Sequence, residues 1–233
     1  MTDPEFFNGI IKVLFVCVII TAAYIITTKN LISLVRAYAL QSLALVLIAL
    51  SLYWYEGAGI LLAIAGITLI FKVIVIPYFI SNVQEKIRIK RDIEFHFLSP
   101  TSSLLISLAL MLLVYITLSR IVGINAVTGS AESPFFFGAV IGISLLLMGM
   151  MVTFSRKKAI TKVLGYLSME NGVLLFGLFV TELPFIIEFL IIIDLVILIL
   201  LTTILTVGID STLEEYHNRL HRFYLWEEQE ESP

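Results

Sequence analysis

The sequence predicts an all-α membrane protein, a bundle of seven transmembrane helices followed by an amphipathic helix. Three observations predict it. Of the 233 residues, 59% are hydrophobic and only 14% charged, whereas soluble domains carry about 25% charged residues. Apolar runs long enough to cross a bilayer, about 17–25 residues, recur along the whole chain. The charges that do occur are gathered between these runs and are basic on alternate sides.

Composition also excludes whole classes of site. The single cysteine, Cys17, lies inside an apolar run. It excludes a disulfide framework, a cysteine zinc site and a cysteine-ligated iron–sulfur cluster within this chain. His217 and His221 are four apart on an expected helix, but no third metal ligand accompanies them. The first apolar run follows the acidic Asp3 and Glu5 and lacks a small-residue cleavage site, so it reads as a span and not a signal peptide. No nucleic-acid partner is expected; the bilayer is.

Taken in order, the first span covers residues 6–27, with Lys12 able to snorkel outward and Lys29 closing it. The second covers 32–54, with Arg36 near its start, Gln41 deeper, and Tyr53, Trp54 and Tyr55 as an aromatic girdle at its far end. Glu56-Gly57-Ala58-Gly59 reads as a tight turn into the third span, residues 60–80. That span carries Lys72, and Pro77 is expected to kink it. Residues 82–96 read as a charged loop. The fourth span, 102–119, holds no charge and reads as a packing or lipid-facing helix. Residues 122–134 read as a loop rich in turn residues.

The fifth span covers 135–154, where Gly138, Ala139, Gly142 and Ser144 allow close helix approach. Ser155-Arg156-Lys157-Lys158 ends it. The sixth lies within residues 159–180 and holds Glu170 and Asn171; the seventh covers 185–207 and holds Glu188 and Asp194. Thr181-Glu182-Leu183-Pro184 joins these two as a short turn, which predicts an antiparallel hairpin. Ser211 followed by Glu214 is a capping-box pattern, and Leu213, Tyr216, Leu220 and Phe223 then recur at helical spacing. Three regions result: an N-terminal four-helix segment (1–132), a three-helix segment (133–208) and a cytoplasmic amphipathic tail (209–233). Basic residues crowd the first, third and fifth inter-span loops and the tail, while the other side has only Arg120, with Lys12 close by. The positive-inside rule therefore places the N-terminus outside and the C-terminus in the cytoplasm.

The candidate functional residues are the charges left inside spans. An acid at a helix centre costs about 2.5–3.5 kcal/mol to insert, so such groups are kept for pairing or for moving charge. Glu170 and Asp194 each lie about twelve residues from the turn between their helices. At 1.5 Å per residue both sit about 18 Å from it, near the midplane. On adjacent antiparallel helices they can face one another or share a proton; close carboxylates do not ionise together readily, so at least one is expected to have a raised pKa. Glu188 points to another face, nearer the outer surface. Lys72 is expected to pair with Glu170, Asp194 or a neighbouring subunit. Gln41 can bridge waters, Asn171 can bond the Glu170 carboxyl, and Arg36 suits a headgroup or interface contact. A faint repeat relates Lys29-Asn30-Leu31-Ile32 up to Tyr38 with Lys157-Lys158-Ala159-Ile160 up to Tyr166, each run preceding a helix with a polar centre.

Tyr38-Ala39-Leu40-Gln41-Ser42-Leu43, Lys72-Val73 with Pro77, Gly165-Tyr166 with Met169-Glu170-Asn171-Gly172, and Glu188 with Asp194 form a set. That set resembles the component-E membrane subunit of formate hydrogenlyase and related hydrogenase-4-type complexes, over roughly residues 30–205. The last three spans are also similar to the K subunit of respiratory complex I and the C subunit of multisubunit cation/proton antiporters. In that second family the buried Glu falls two residues after its glycine, whereas Glu170 falls five after Gly165. The resemblance implies a non-redox subunit of an energy-converting, complex I-like hydrogenase in a prokaryotic cytoplasmic membrane. It implies hydrogenase and antiporter-like partner subunits, with nickel–iron and iron–sulfur centres in those partners and none in this chain. The implied path for protons or sodium ions comprises Glu170, Asp194, Glu188, Lys72, Gln41 and Asn171. Three other readings stay open: a subunit of a cation/proton antiporter, a stand-alone transporter, and an assembly scaffold whose acids are satisfied and silent.

Overall fold

The computed structural model describes residues 4–87, 99–122, 134–156 and 159–180, together with 192, 193, 196, 197 and 199. The described chain is almost entirely helical. The helices are α1 (Pro4–Thr27), α2 (Leu31–Glu56), α3 (Gly59–Thr68), a π-helical segment (Leu69–Val75), α4 (Ile76–Ile87), α5 (Pro100–Val122), α6 (Pro134–Ser155) and α7 (Ala159–Val180). Among the described residues, five helices are long and apolar enough to cross a membrane: Glu5–Thr27, Leu31–Glu56, Gly59–Ser81, Thr101–Ile121 and Pro134–Ser155. The helix α7 matches them in length at 22 residues but interrupts its apolar run with Ser168, Glu170 and Asn171.

Helix ends follow local chemistry. Asn30 has extended backbone and its Oδ1 accepts from the Ile32 N–H at 3.0 Å, capping α2. At the far end Gly57 takes φ +72°, and its N–H returns to the Tyr53 carbonyl at 2.8 Å. A side chain at that position would strain the left-handed backbone, so the chain turns on a glycine. The Phe7 ring stacks on Tyr55 at 4.4 Å and ties the start of α1 to the end of α2.

Packing separates an inner face from a lipid-type face on each helix. On α1, Phe7, Ile11, Phe15, Val18, Ala22 and Ile25 are buried, while Phe6, Val13, Val16 and Ile20 are exposed. Both sets are apolar, as expected where water touches neither side. The helix α5 inverts the soluble pattern: Ser103 and Ser107 are buried and Leu105, Leu108, Leu112 and Ile116 are exposed. The expectation of a lipid-facing fourth span fits this distribution.

Pro77, expected to kink its helix, is preceded by a widened turn. Proline has no N–H, and its ring crowds the carbonyl four residues back. The chain answers with a wider turn ahead of it: Leu69–Val75 is π-helical, and the Ile76 N–H bonds the Phe71 carbonyl, five residues back. The helix then continues through Ile87, so residues 82–87, expected as the start of a charged loop over 82–96, are helical; the rest of that expected loop, to 96, lies outside the described residues. Nothing in that stretch breaks a helix, and polar side chains are no obstacle once it leaves the apolar layer.

The tightest contact is between α6 and α7. A methyl built on Gly138 would meet Phe179, on Gly142 would meet Phe176, on Gly149 would meet Met169, and on Gly165 would meet Thr153. The paired numbers run in opposite directions, so the two helices are antiparallel with backbones nearly touching. Close approach was expected from Gly138 and Gly142; Gly149, Gly165 and Gly172 extend the seam along both helices. Without a hydrophobic force between helices in lipid, this close van der Waals contact is what associates them.

Candidate functional site

The interior where α2, the π segment and α7 meet is polar. Lys72 is fully buried, Glu170 is 2% exposed, and Lys72 Nζ lies 2.8 Å from Glu170 Oε1. The same ammonium donates to Asn171 Oδ1 at 3.3 Å. Asn171 Nδ2 donates to Gln41 Oε1 at 3.2 Å and to Ser42 Oγ at 3.1 Å. The Ser168 hydroxyl donates to Gln41 Oε1 at 3.1 Å. Gln41, Ser42, Ser168 and Asn171 are all buried. Two helices and a widened turn thus hold one continuous chain of polar side chains inside an apolar bundle.

Each element contributes through its local geometry. Consecutive residues supply two contacts on α2 (Gln41, Ser42) and two on α7 (Glu170, Asn171), and Ser168 adds a third on α7. Lys72 stands within the π segment, the one described stretch whose turn is wider than α. Such insertions recur at functional sites. A buried ion pair is weak evidence for stability, because desolvating two charges costs several kcal/mol each; its geometry must therefore be good, and here further hydrogen bonds surround it.

The sequence singled out Glu170, Lys72, Asn171 and Gln41, and the fold brings these four together. It missed Ser42 and Ser168 as members; their signal was adjacency to Gln41 and a three-residue step from Asn171. Arg36 is exposed near the start of α2 and takes no part. Glu188 and Asp194, the other two acids, lie outside the described residues, as do the turn at 181–184 and the tail. In that region Ile197 is buried against the core and Ile193 is partly buried.

Arg156 follows the last residue of α6, where the sequence placed the end of the fifth span, and its side chain is only 2% exposed. Its Nη2 donates to the carbonyls of Ile25 at 3.1 Å, Ile26 at 3.1 Å and Thr28 at 3.0 Å. The first two belong to the last turn of α1 and Thr28 directly follows it, where the last carbonyls lack helical partners and the helix dipole is negative. Burial lowers the Arg156 pKa to about 10, which leaves the side chain cationic at neutral pH. Sequence reading could not see this, because the partners are backbone atoms of a helix far away in the chain. Replacing Arg156 with Gln is expected to destabilise the protein by about 2–3 kcal/mol, the scale of hydrogen bonds to a charged group. Arg156→Lys, which keeps the charge, should lose less. Denaturant titration of the purified protein in detergent micelles checks both.

Comparison with protein-family models, curated proteins and solved structures finds no match.

Proposed function

We propose that this chain is an ion-path subunit of a multi-pass membrane complex, contributing buried ionisable groups to proton or sodium translocation. The observation that carries the reading is the Lys72–Glu170 pair, at 2.8 Å and almost wholly buried, extended through Asn171 to Gln41. Ionisable groups inside membrane helices are rare and mark ion and proton pathways. The particular complex is an energy-converting, complex I-like hydrogenase, a reading supported by the Tyr38–Leu43, Lys72-Val73 and Met169–Gly172 blocks. Its nickel–iron and iron–sulfur centres belong to partner subunits, and antiporter-like subunits adjoin it. Glu188 and Asp194 complete the path in this proposal. Seven spans, an external N-terminus, a cytoplasmic C-terminus and a prokaryotic cytoplasmic membrane complete the picture. A subunit of a multisubunit cation/proton antiporter is the second reading, favoured by the same buried acid on α7.

Glu170→Gln tests the proposal. The amide keeps the side chain's size and can still accept from Lys72, but it cannot take or release a proton. Hydrogen evolution and ion pumping are measured together in membrane vesicles, with assembly checked by subunit composition. The expected result is an assembled complex that no longer pumps. Pumping at the wild-type ratio would make Glu170 structural and leave a scaffold. Orientation has its own test: a reporter fused after Trp226 is expected to be active in the cytoplasm, and external activity would overturn the span count or its direction.

A further inference from the structure

The hydrogen-bond chain has a fixed direction, set by Lys72. An ammonium only donates, so Asn171 must turn its carbonyl oxygen toward Nζ. Its amide nitrogen then faces α2 and donates to Gln41 Oε1 and Ser42 Oγ. Gln41 must in turn present Oε1 to Asn171, and it receives the Ser168 hydroxyl on the same oxygen. One cation therefore orients both amides, and the side-chain flip that often leaves amides ambiguous is settled by chemistry.

The last group in that sequence is Gln41 Nε2. It is buried and has no hydrogen-bond partner among the described residues. Thr68, one turn before Lys72, is 1% exposed, and its hydroxyl also lacks a partner among the described residues. Ser103 Oγ on α5 shares this condition, whereas Thr21, Ser107 and Ser144 return their hydroxyl protons to carbonyls on their own helices, at 2.8, 2.8 and 2.7 Å. A buried amide or hydroxyl without a partner costs about 1–3 kcal/mol, and buried waters commonly satisfy such groups.

We propose that Gln41 Nε2 and Thr68 Oγ1 bind water inside the bundle, and that this water, not a hard metal cation, continues the polar chain. Hard cations such as calcium and magnesium require several oxygen ligands. Here Gln41 Oε1 is engaged by two donors and Asn171 Oδ1 by the ammonium. What Gln41 still offers is a nitrogen donor, which fits an oxygen acceptor and gives a sodium ion no ligand; the Lys72 charge nearby is balanced by Glu170. The water site stands on the burial and unmet hydrogen bonding of these two groups; the identification of the carried ion as a proton rests on the ion-path reading above.

The test is radiolytic hydroxyl-radical labelling in ¹⁸O-water of the complex in lipid nanodiscs. Tyr38 is fully buried and Leu45 is 1% exposed; both lie one turn from Gln41, so bulk radicals do not reach them. Labelling of either is expected in the wild type, with loss of that label in Gln41→Leu and a reduction in Thr68→Val. A folded wild type without label at both residues overturns the water site, whatever the variants do. Label that falls when sodium replaces choline in the buffer overturns the exclusion of the cation. Label that is insensitive to sodium, alongside normal pumping by Glu170→Gln, keeps the water and removes the ion path.

Discussion

Lys72→Met is expected to cost about 3–5 kcal/mol, the scale on which removing one partner of a buried ion pair destabilises a protein. Methionine fills similar space, so the loss is electrostatic and not a cavity. The Glu170 carboxylate is left 2% exposed with its cation gone, and Asn171 loses the group that orients it. Glu170→Gln, which removes the other charge, is expected to cost less, because the amide can still accept from Nζ. The double variant Lys72→Met with Glu170→Gln should recover much of the stability lost in Lys72→Met, since neither charge remains to be desolvated. Denaturant titration of the four proteins measures the coupling, and pumping in vesicles is read on the same set. Recovery of stability without recovery of pumping is the outcome the ion-path proposal requires. Equal stability of all four would mean that the pair contributes nothing and that water screens it.

The second large effect is expected at a residue that makes no polar contact. A methyl on Gly172 would run into the Leu146 backbone nitrogen and lie 2.7 Å from the Gly142 carbonyl oxygen. Backbone atoms cannot rotate away, so Gly172→Ala must push α7 from α6. Overpacking of this kind costs about 1–3 kcal/mol, against a gain of up to about 1 kcal/mol in helix propensity. The displacement matters more than the energy, because Asn171 and Glu170 immediately precede Gly172. Pumping should fall although every polar residue is intact. Gly66→Ala is the control: nothing lies within 4 Å of its added methyl, so propensity alone acts and stability should hold or rise. Thermal stability and pumping of the two variants are to be compared directly.

Much of this arrangement was legible in the sequence. Apolar runs located the described long helices to within a few residues, because in lipid a span must satisfy its own backbone over a fixed thickness. The rarity of charge marked Lys72 and Glu170, and polarity next to them marked Asn171 and Gln41. Other features were hidden for identifiable reasons. Pro77 announced a distortion, but whether the chain bends or widens depends on what the neighbouring turn must place, here Lys72. Ser42 and Ser168 are ordinary residues in such helices, and their hydroxyls gain a role only from the partner opposite. Arg156 was legible only as one of the basic residues after the fifth span, since no local pattern reveals that a side chain will reach carbonyls at the end of α1. The likeness between the segments leading into α2 and α7 has one spatial counterpart: those are the two helices whose polar centres meet.

The contact between Arg156 and the end of α1 also has a consequence in time. The side chain is 131 residues after Ile25, the first carbonyl it holds. A ribosome adding about 5–20 residues per second needs roughly 6–26 s to cover that distance. Throughout that interval the newly inserted first hairpin has an end whose carbonyls await their donor. The nascent chain must therefore keep this end in contact with water, lipid headgroups or the insertion machinery until α6 is complete. Seating of the first helix is thereby made a late event of biogenesis, fixed by a residue the ribosome has not yet reached when that helix emerges.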